Sequence, residues 1–200
     1  MSEIVSDINL VFSTPIWTSL IENHNLINKK MEEYIKSLQK IDLTGKKVSN
    51  IDGWHSQNFN LNDEEVIFFI NSISPKIKKT MEDMGWDLNN NKIEITNAWS
   101  IINTRGASNA SHIHSNCYLS AAYYVKAPKG CGDIVFHDPR EAKKIRKPKT
   151  SESNKLNAEE VNIQPQSGLL VLFPSYLYHS VRENLSDNER IVISFNVDLK

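Results

Sequence analysis

The chain has six histidines among its 200 residues, and two of them, His112 and His114, stand two positions apart in "SHIHSNCYLSAAYYV". In an extended chain, residues i and i+2 point to the same face, so this spacing sets two imidazoles side by side. Neutral imidazole is a ligand for Fe(II), Zn, Cu, Ni or Mn. Such a pair alone is weak evidence, because surface strands carry it with no metal nearby. A third histidine, His179, follows an apolar run and a proline in "GLLVLFPSYLYHSV". Two ligands from one strand and a third from a distant one make a facial set around a cation, with the opposite side open to other ligands.

Arg190 follows at the head of "RIVISFNV", where it is expected on an antiparallel neighbour of the His179 strand in apolar surroundings. A buried guanidinium needs an anion and grips a carboxylate with two parallel hydrogen bonds. Val192, Ser194 and Asn196 continue its face and supply no acid, so a small dicarboxylate would fill the need. The plainer alternative is an exposed arginine paired with Asp187 or Glu189. Ser194 and Asn196 are placed to help hold an anionic cosubstrate or to orient a metal ligand. Tyr118 and Tyr123, with Tyr124, lie on the strand after His114, where a phenol could hydrogen-bond a carboxylate or simply fill the core. His137, Asp138 and Arg140 make a polar cluster that either touches substrate or fixes a bend. Trp54 and His55 form a pocket wall or pin a loop. Cys117 reads as a small buried hydrophobe, since no base is paired with it.

These residues need elements to position them. From Ile93 onward the pattern is period two and rich in β-branched and aromatic residues, in "IEITNAWSIIN", "CYLSAAYYVKA", "GDIVFHD", "GLLVLFPS" and "RIVISFNVDL", which predicts strands. Turn signals join them, and no helical crossover forces a parallel sheet. The first half predicts two helices. One runs over Leu26 to Leu38 at a 3.6-residue period. The other starts at a capping Asn62, runs to Met84 with a kink at Pro75, and stops at Gly85. The segment 140–166 is charged and proline-bearing and predicts a long surface loop. The expected fold is therefore mainly β with flanking N-terminal helices, a double-sheet, cupin-like jelly roll. It forms one domain over residues 1–200, with a helical part at 1–92 and a β core at 93–200.

Composition limits the partners. A charged fraction of 24% with a net charge of -1 gives no electrostatic reason to expect nucleic acid, and no basic stripe with interleaved aromatics stands beside the histidines. No apolar run approaches the ~20 residues that cross a bilayer. Only two cysteines occur, and the opening "MSEIVSDINL" lacks the regions of a signal peptide, so a soluble cytoplasmic protein without disulfides is expected.

The run from "HIHSNCYLSAAYYV" through "GCGDIVFHDPR" and "GLLVLFPSYLYHSV" to "RIVISFNVDL" resembles the Fe(II)- and 2-oxoglutarate-dependent oxygenase superfamily. It is most similar to a little-characterised branch that also carries "GWHS", matched here by Gly53 to Ser56, and an opening like "LVFSTPIW". The resemblance covers nearly the whole chain. It implies a double-stranded β-helix, with Fe(II), O2 and 2-oxoglutarate used to hydroxylate an unidentified small-molecule or peptide substrate. It also implies that His112 and His179 bind iron and that Arg190 binds the far carboxylate of 2-oxoglutarate. At the middle ligand the sequence departs from the usual carboxylate and has His114. Three arrangements follow: a three-histidine site, a carboxylate from elsewhere with Asp138 the best candidate, or a position filled by water or another anion. The competing function is a cupin-like metal-binding protein or degenerate binding module without oxidative turnover.

Overall fold

The apolar runs of the second half form strands buried on both faces, and this decides the layering of the molecule. A computed structural model describes residues 7–200. In chain order the elements are β1 (Trp17–Leu20), α1 (His24–Ile41), β2 (Asn50–Ile51), β3 (Trp54–His55), α2 (Glu64–Asp83), β4 (Ile93–Asn103) and β5 (Ser108–His112). They continue with β6 (Leu119–Lys126), β7 (Ile134–His137), α3 (Glu141–Ile145), β8 (Glu160–Ile163), β9 (Leu169–Pro174), β10 (His179–Val181) and β11 (Arg190–Leu199). The larger sheet has the order β1-β9-β6-β11-β4-β3 and the smaller β2-β5-β10-β7-β8. Every pairing in the two sheets is antiparallel. This is the expected mainly β architecture, two sheets forming a double-stranded β-helix with helices on one side.

Two hydrophobic cores share the larger sheet. One face of β6, β9 and β11, through Ala121, Tyr123, Leu170, Leu172, Ile193 and Phe195, meets Met31 and Ile35 of α1 and Phe69, Ile73 and Ile77 of α2. The Phe69 ring stands 5.1 Å from Tyr123 and 6.0 Å from Phe195, centre to centre. The alternate residues of the same strands, Ala122, Tyr124, Val171, Phe173 and Val192, meet Ile134 and Phe136 of the smaller sheet. A strand covered on both sides carries no polar alternation, hence runs such as "LLVLF".

Several sequence expectations need adjusting. The helices fall where the periodicity predicts, but Asp63 rather than Asn62 precedes α2, and Pro75 lies inside it without ending it. The N-terminal part also contributes strands: β1 adds an edge to the larger sheet, while β2 and β3 enter different sheets although only Asp52 and Gly53 separate them. Segment 140–166 is not a plain loop, since it contains α3 and the edge strand β8, whose first three residues are exposed. Their exposure explains the polar composition that hid the strand. Finally, β10 and β11 lie in opposite sheets, not side by side. The connection between them does not fold as a hairpin because Asn184 engages another loop. Its N–H donates to Ala107 O at 3.0 Å, its Nδ2 to Asn103 O at 2.9 Å, and its own carbonyl accepts from Gly106 N. Arg190 therefore looks across the sandwich toward the histidines.

Candidate active site

A cavity of about 250 Å³ opens between the sheets, and its lining includes His55, Trp99, His112, His114, Tyr124, His179, Arg190, Ser194 and Asn196. His112 ends β5 and stands opposite His179 of β10 in the register, where a bulge shifts the pairing toward Val181 and Asn109. Such bulges re-aim side chains beside functional sites. His114 lies past the end of β5, not on one strand with His112, because the chain turns away to reach β6. Its N–H donates to Ser175 O at 3.1 Å, and Ser175 N donates back to Tyr118 O at 3.1 Å, which ties this loop to the end of β9.

One ring nitrogen from each of His112, His114 and His179 lies within 4.8 Å of the other two. The ring centres are 4.3 Å (His112 to His179), 5.3 Å (His112 to His114) and 5.2 Å (His114 to His179) apart. Each Nδ1 sits against an acceptor: Ala110 O at 2.8 Å for His112, Leu177 O at 3.0 Å for His179 and Asn196 Oδ1 at 2.6 Å for His114. Asn196 Oδ1 also accepts from Ser120 Oγ at 3.2 Å. All three Nδ1 atoms are thus donors, and each Nε2 keeps a bare lone pair. Burial depresses the three basicities, most for His179, whose pKa is pushed down to about 3 with the neighbouring His112 adding to the effect. Three neutral imidazoles with convergent lone pairs are the donor set a divalent transition metal requires.

Arg190 is 1% exposed and has no acidic partner among the described residues. Its Nη1 donates to the carbonyls of Cys131, Gly132 and Arg182. With the Asn103 amide oriented oxygen-inward, Nη2 donates to Asn103 Oδ1 at 2.9 Å. The two acids beside it in the sequence are engaged elsewhere, Glu189 with Lys36 at 2.7 Å and Asp187 with Arg105 at 2.7 Å. Tyr124 lines the same end of the cavity; its hydroxyl has no partner among the described residues, and burial raises its pKa.

Ser194 and Asn196 line the cavity as their spacing from Arg190 predicts. Tyr118 and Tyr123 do not. Tyr118 is 55% exposed and packs on Trp86, while Tyr123 sits on the helix side of β6 and donates to Asn28 Oδ1 at 2.7 Å. The phenol in the cavity is Tyr124, one position along, on the face shared with Ala122. The signal that marks it is register, since Tyr124 pairs with Val192 and Ala122 with Ser194. Asp138 is likewise outside the cavity, held by Arg140 at 2.8 Å and Lys143 at 2.9 Å, both of which keep its carboxyl well below the usual range. No Asp or Glu lines the cavity. His55 is a further lining residue. Its Nδ1 faces Ser56 O at 2.7 Å and its ring stacks on Trp99 at 5.8 Å, with Trp99 in turn 5.5 Å from His114.

An antiparallel double-stranded β-helix thus encloses a histidine cluster and a buried arginine. Residues 97–196 match the family described as "Putative 2OG-Fe(II) oxygenase", and the chain belongs to that family. It is accordingly an enzyme that uses Fe(II), 2-oxoglutarate and O2. Solved structures agree in fold. A Pseudomonas putida prolyl-4-hydroxylase is 12% identical, with a TM-score of 0.66 and 93% of each chain covered. A Trichoplax adhaerens prolyl hydroxylase bound to a hypoxia inducible factor peptide is 13% identical, with a TM-score of 0.63, covering 92% of this chain and 83% of that one. HygX from Streptomyces hygroscopicus, solved with nickel, 2-oxoglutarate and hygromycin B, is 10% identical with a TM-score of 0.63, covering 92% and 83%. No curated protein matches the sequence. Among the described residues, no helix is long and apolar enough to cross a membrane.

Proposed function

We propose that the protein hydroxylates a small molecule or a peptide side chain, with Fe(II) held by His112, His114 and His179 through Nε2. The observation that carries this reading is the hydrogen-bonding of all three Nδ1 atoms to acceptors within one cavity. When bound, the iron and 2-oxoglutarate supply the oxidising chemistry, as cofactors do in general. The chain's own residues bind and orient. Arg190 and the Tyr124 hydroxyl receive the far carboxylate of 2-oxoglutarate, and Asn196 holds His114 in the ligating tautomer. Ser194 contributes a hydroxyl to the same wall. Phe173, with its ring 4.6 Å from His179, and Val192 and Ile101 keep water from the centre.

Supporting a three-histidine set over a distant carboxylate is the absence of any acid from the lining and the engagement of Asp138 by two cations. The cavity opens past exposed Val48 and Ile113, an entrance suited to a side chain or a small molecule. Both cysteines are unpaired, in keeping with a reducing cytoplasm.

Anaerobic addition of 2-oxoglutarate to the Fe(II)-loaded protein should produce the weak visible charge-transfer band of bidentate chelation. His179→Ala should lose both metal and band. Bound metal without the band in the wild-type protein would overturn the reading in favour of a non-oxidative metal-binding role.

A further inference from the structure

Of the four histidines that line the cavity, His55 alone stands outside the metal cluster. It is 6% exposed and lies on β3, the edge strand of the larger sheet. The backbone around it is fixed from both sides. His55 O accepts from Lys46 N at 2.8 Å, Ser56 N donates to Ser100 O at 2.9 Å, and Ser100 N donates back to Ser56 Oγ at 2.9 Å. Next to it, Trp54 Nε1 donates to Asp42 O at 2.7 Å. The His55 ring lies nearly parallel to that of Trp99, at 11°. A side chain held in this way is preorganised to meet a ligand.

The hydrogen bond at Nδ1 decides what the ring offers. Nδ1 lies 2.7 Å from Ser56 O, a group that only accepts, so the ring proton sits there and Nε2 carries the lone pair. Burial lowers the basicity of the ring and keeps it neutral. Nε2 has no partner among the described residues, where Ser100 Oγ is the one sealed side-chain polar atom without a hydrogen bond. Nε2 is therefore within reach of an incoming molecule. Its place in the cavity follows from the register. His55, Ile101, Val192 and Tyr124 form one row across the larger sheet, between the Asn103–Arg190 row and the Trp99–Ser194 row. The path proposed for 2-oxoglutarate follows β11 from Arg190 toward the metal cluster, and His55 stands two strands to its side, about 10 Å from Val192. The entrance is on this side too, since Lys46, tied to His55, precedes the exposed Val48 of the mouth by two residues. A molecule that enters past Val48 meets His55 beside the cosubstrate. If it displaced water from Nε2 without donating a hydrogen bond, the buried acceptor would be left unpaired, which is how a polar pocket rejects the wrong substrate.

We infer that His55 sets the specificity of the enzyme by accepting, at Nε2, a hydrogen bond from an amide N–H or a hydroxyl of the substrate. This rests on the hydroxylase reading above and adds the chemical class that the cavity selects. The test uses protein with nitrogen-labelled histidine, loaded with Zn(II) in place of iron and with saturating 2-oxoglutarate, and follows the His55 resonances by NMR. Their loss in His55→Phe, or in His55→Gln should the first not fold, assigns them. Before any probe is added, Nδ1 should resonate as protonated and Nε2 as bare; the reverse would overturn the inference. The probes are N-methylacetamide and N,N-dimethylacetamide, which share a carbonyl and differ in the N–H. N-methylacetamide should bind about five times more tightly, the effect of one hydrogen bond, and should move the Nε2 resonance toward its protonated position. His55→Phe keeps a ring to stack on Trp99 and should bind both probes equally. Equal binding by the wild-type protein, or a preference that survives in His55→Phe, would overturn the inference and leave the functional reading intact. With Fe(II) in place of Zn(II), a charge-transfer band that never forms would instead remove the functional reading, and with it the assignment of the bound donor as substrate.

Discussion

Each imidazole of the cluster is locked by a different acceptor, two by backbone carbonyls and one by a side chain, and only the last can be removed by substitution. Asn196→Ala should therefore free the His114 ring and weaken metal binding by roughly 10- to 100-fold, measured by Co(II) titration of the folded protein. The two adjacent tyrosines make a second test. Tyr124→Phe removes the unpartnered hydroxyl beside Arg190 and should weaken 2-oxoglutarate binding roughly tenfold, the magnitude of one hydrogen bond to a charged group. Tyr123→Phe loses only its bond to Asn28 and should lower stability by about 1 kcal/mol with 2-oxoglutarate binding unchanged. Calorimetry of both variants separates them. At this scale the sequence was informative where chemistry was sparse: three histidines and one arginine in apolar runs could be picked out by spacing. It was ambiguous at Tyr123 and Tyr124 because β6 is buried on both faces, so neither parity looks different from the other.

At the scale of elements, the turn between β6 and β7 does more than reverse the chain. Its Cys131 and Gly132 carbonyls hold Arg190, and Gly132 adopts a φ of 88° with no room for a side chain, since a Cβ would land on the Arg182 and Glu183 carbonyls. Gly132→Ala should cost about 1–3 kcal/mol of stability through backbone strain and should also weaken 2-oxoglutarate binding by displacing the arginine. Thermal melts and ligand titration of one variant check both. The long helices and the central strands were legible because 3.6- and 2-residue periods persist over many turns. The two-residue strands β2 and β3, buried in "SNIDGWHS", were not, because a strand that short shows no period at all. The opposition of β10 and β11 was equally hidden, for it depends on Asn184 bonding to a loop far away in the chain.

For the molecule as a whole, the four imidazoles that line the cavity link folding to acidity. His55, His112, His114 and His179 all titrate below the ordinary 6.5 when folded, chiefly through burial, His179 as low as about 3. Below about pH 6.5 the unfolded chain binds more protons than the folded one. The metal-free protein should thus be fully stable above that value and lose stability as pH falls toward 3, by about 1.4 kcal/mol per pH unit for each imidazole still neutral in the fold. Melting with chelator present from pH 7.5 to 4.5 should show a falling midpoint, and a constant one would contradict the burial of these rings. The double-sheet jelly roll with flanking helices was readable from the strand and helix periods; the N-terminal contribution to the sheets was not. That contribution has a mechanical side. Asp52 and Gly53 are the whole connection between a strand of one sheet and a strand of the other, a tether whose reach is at most about 11 Å, close to the ~10 Å that packed sheets keep between them. The cavity wall beside His55 is consequently hemmed where the two sheets are stitched together, and its gauge there is set by the length of two residues.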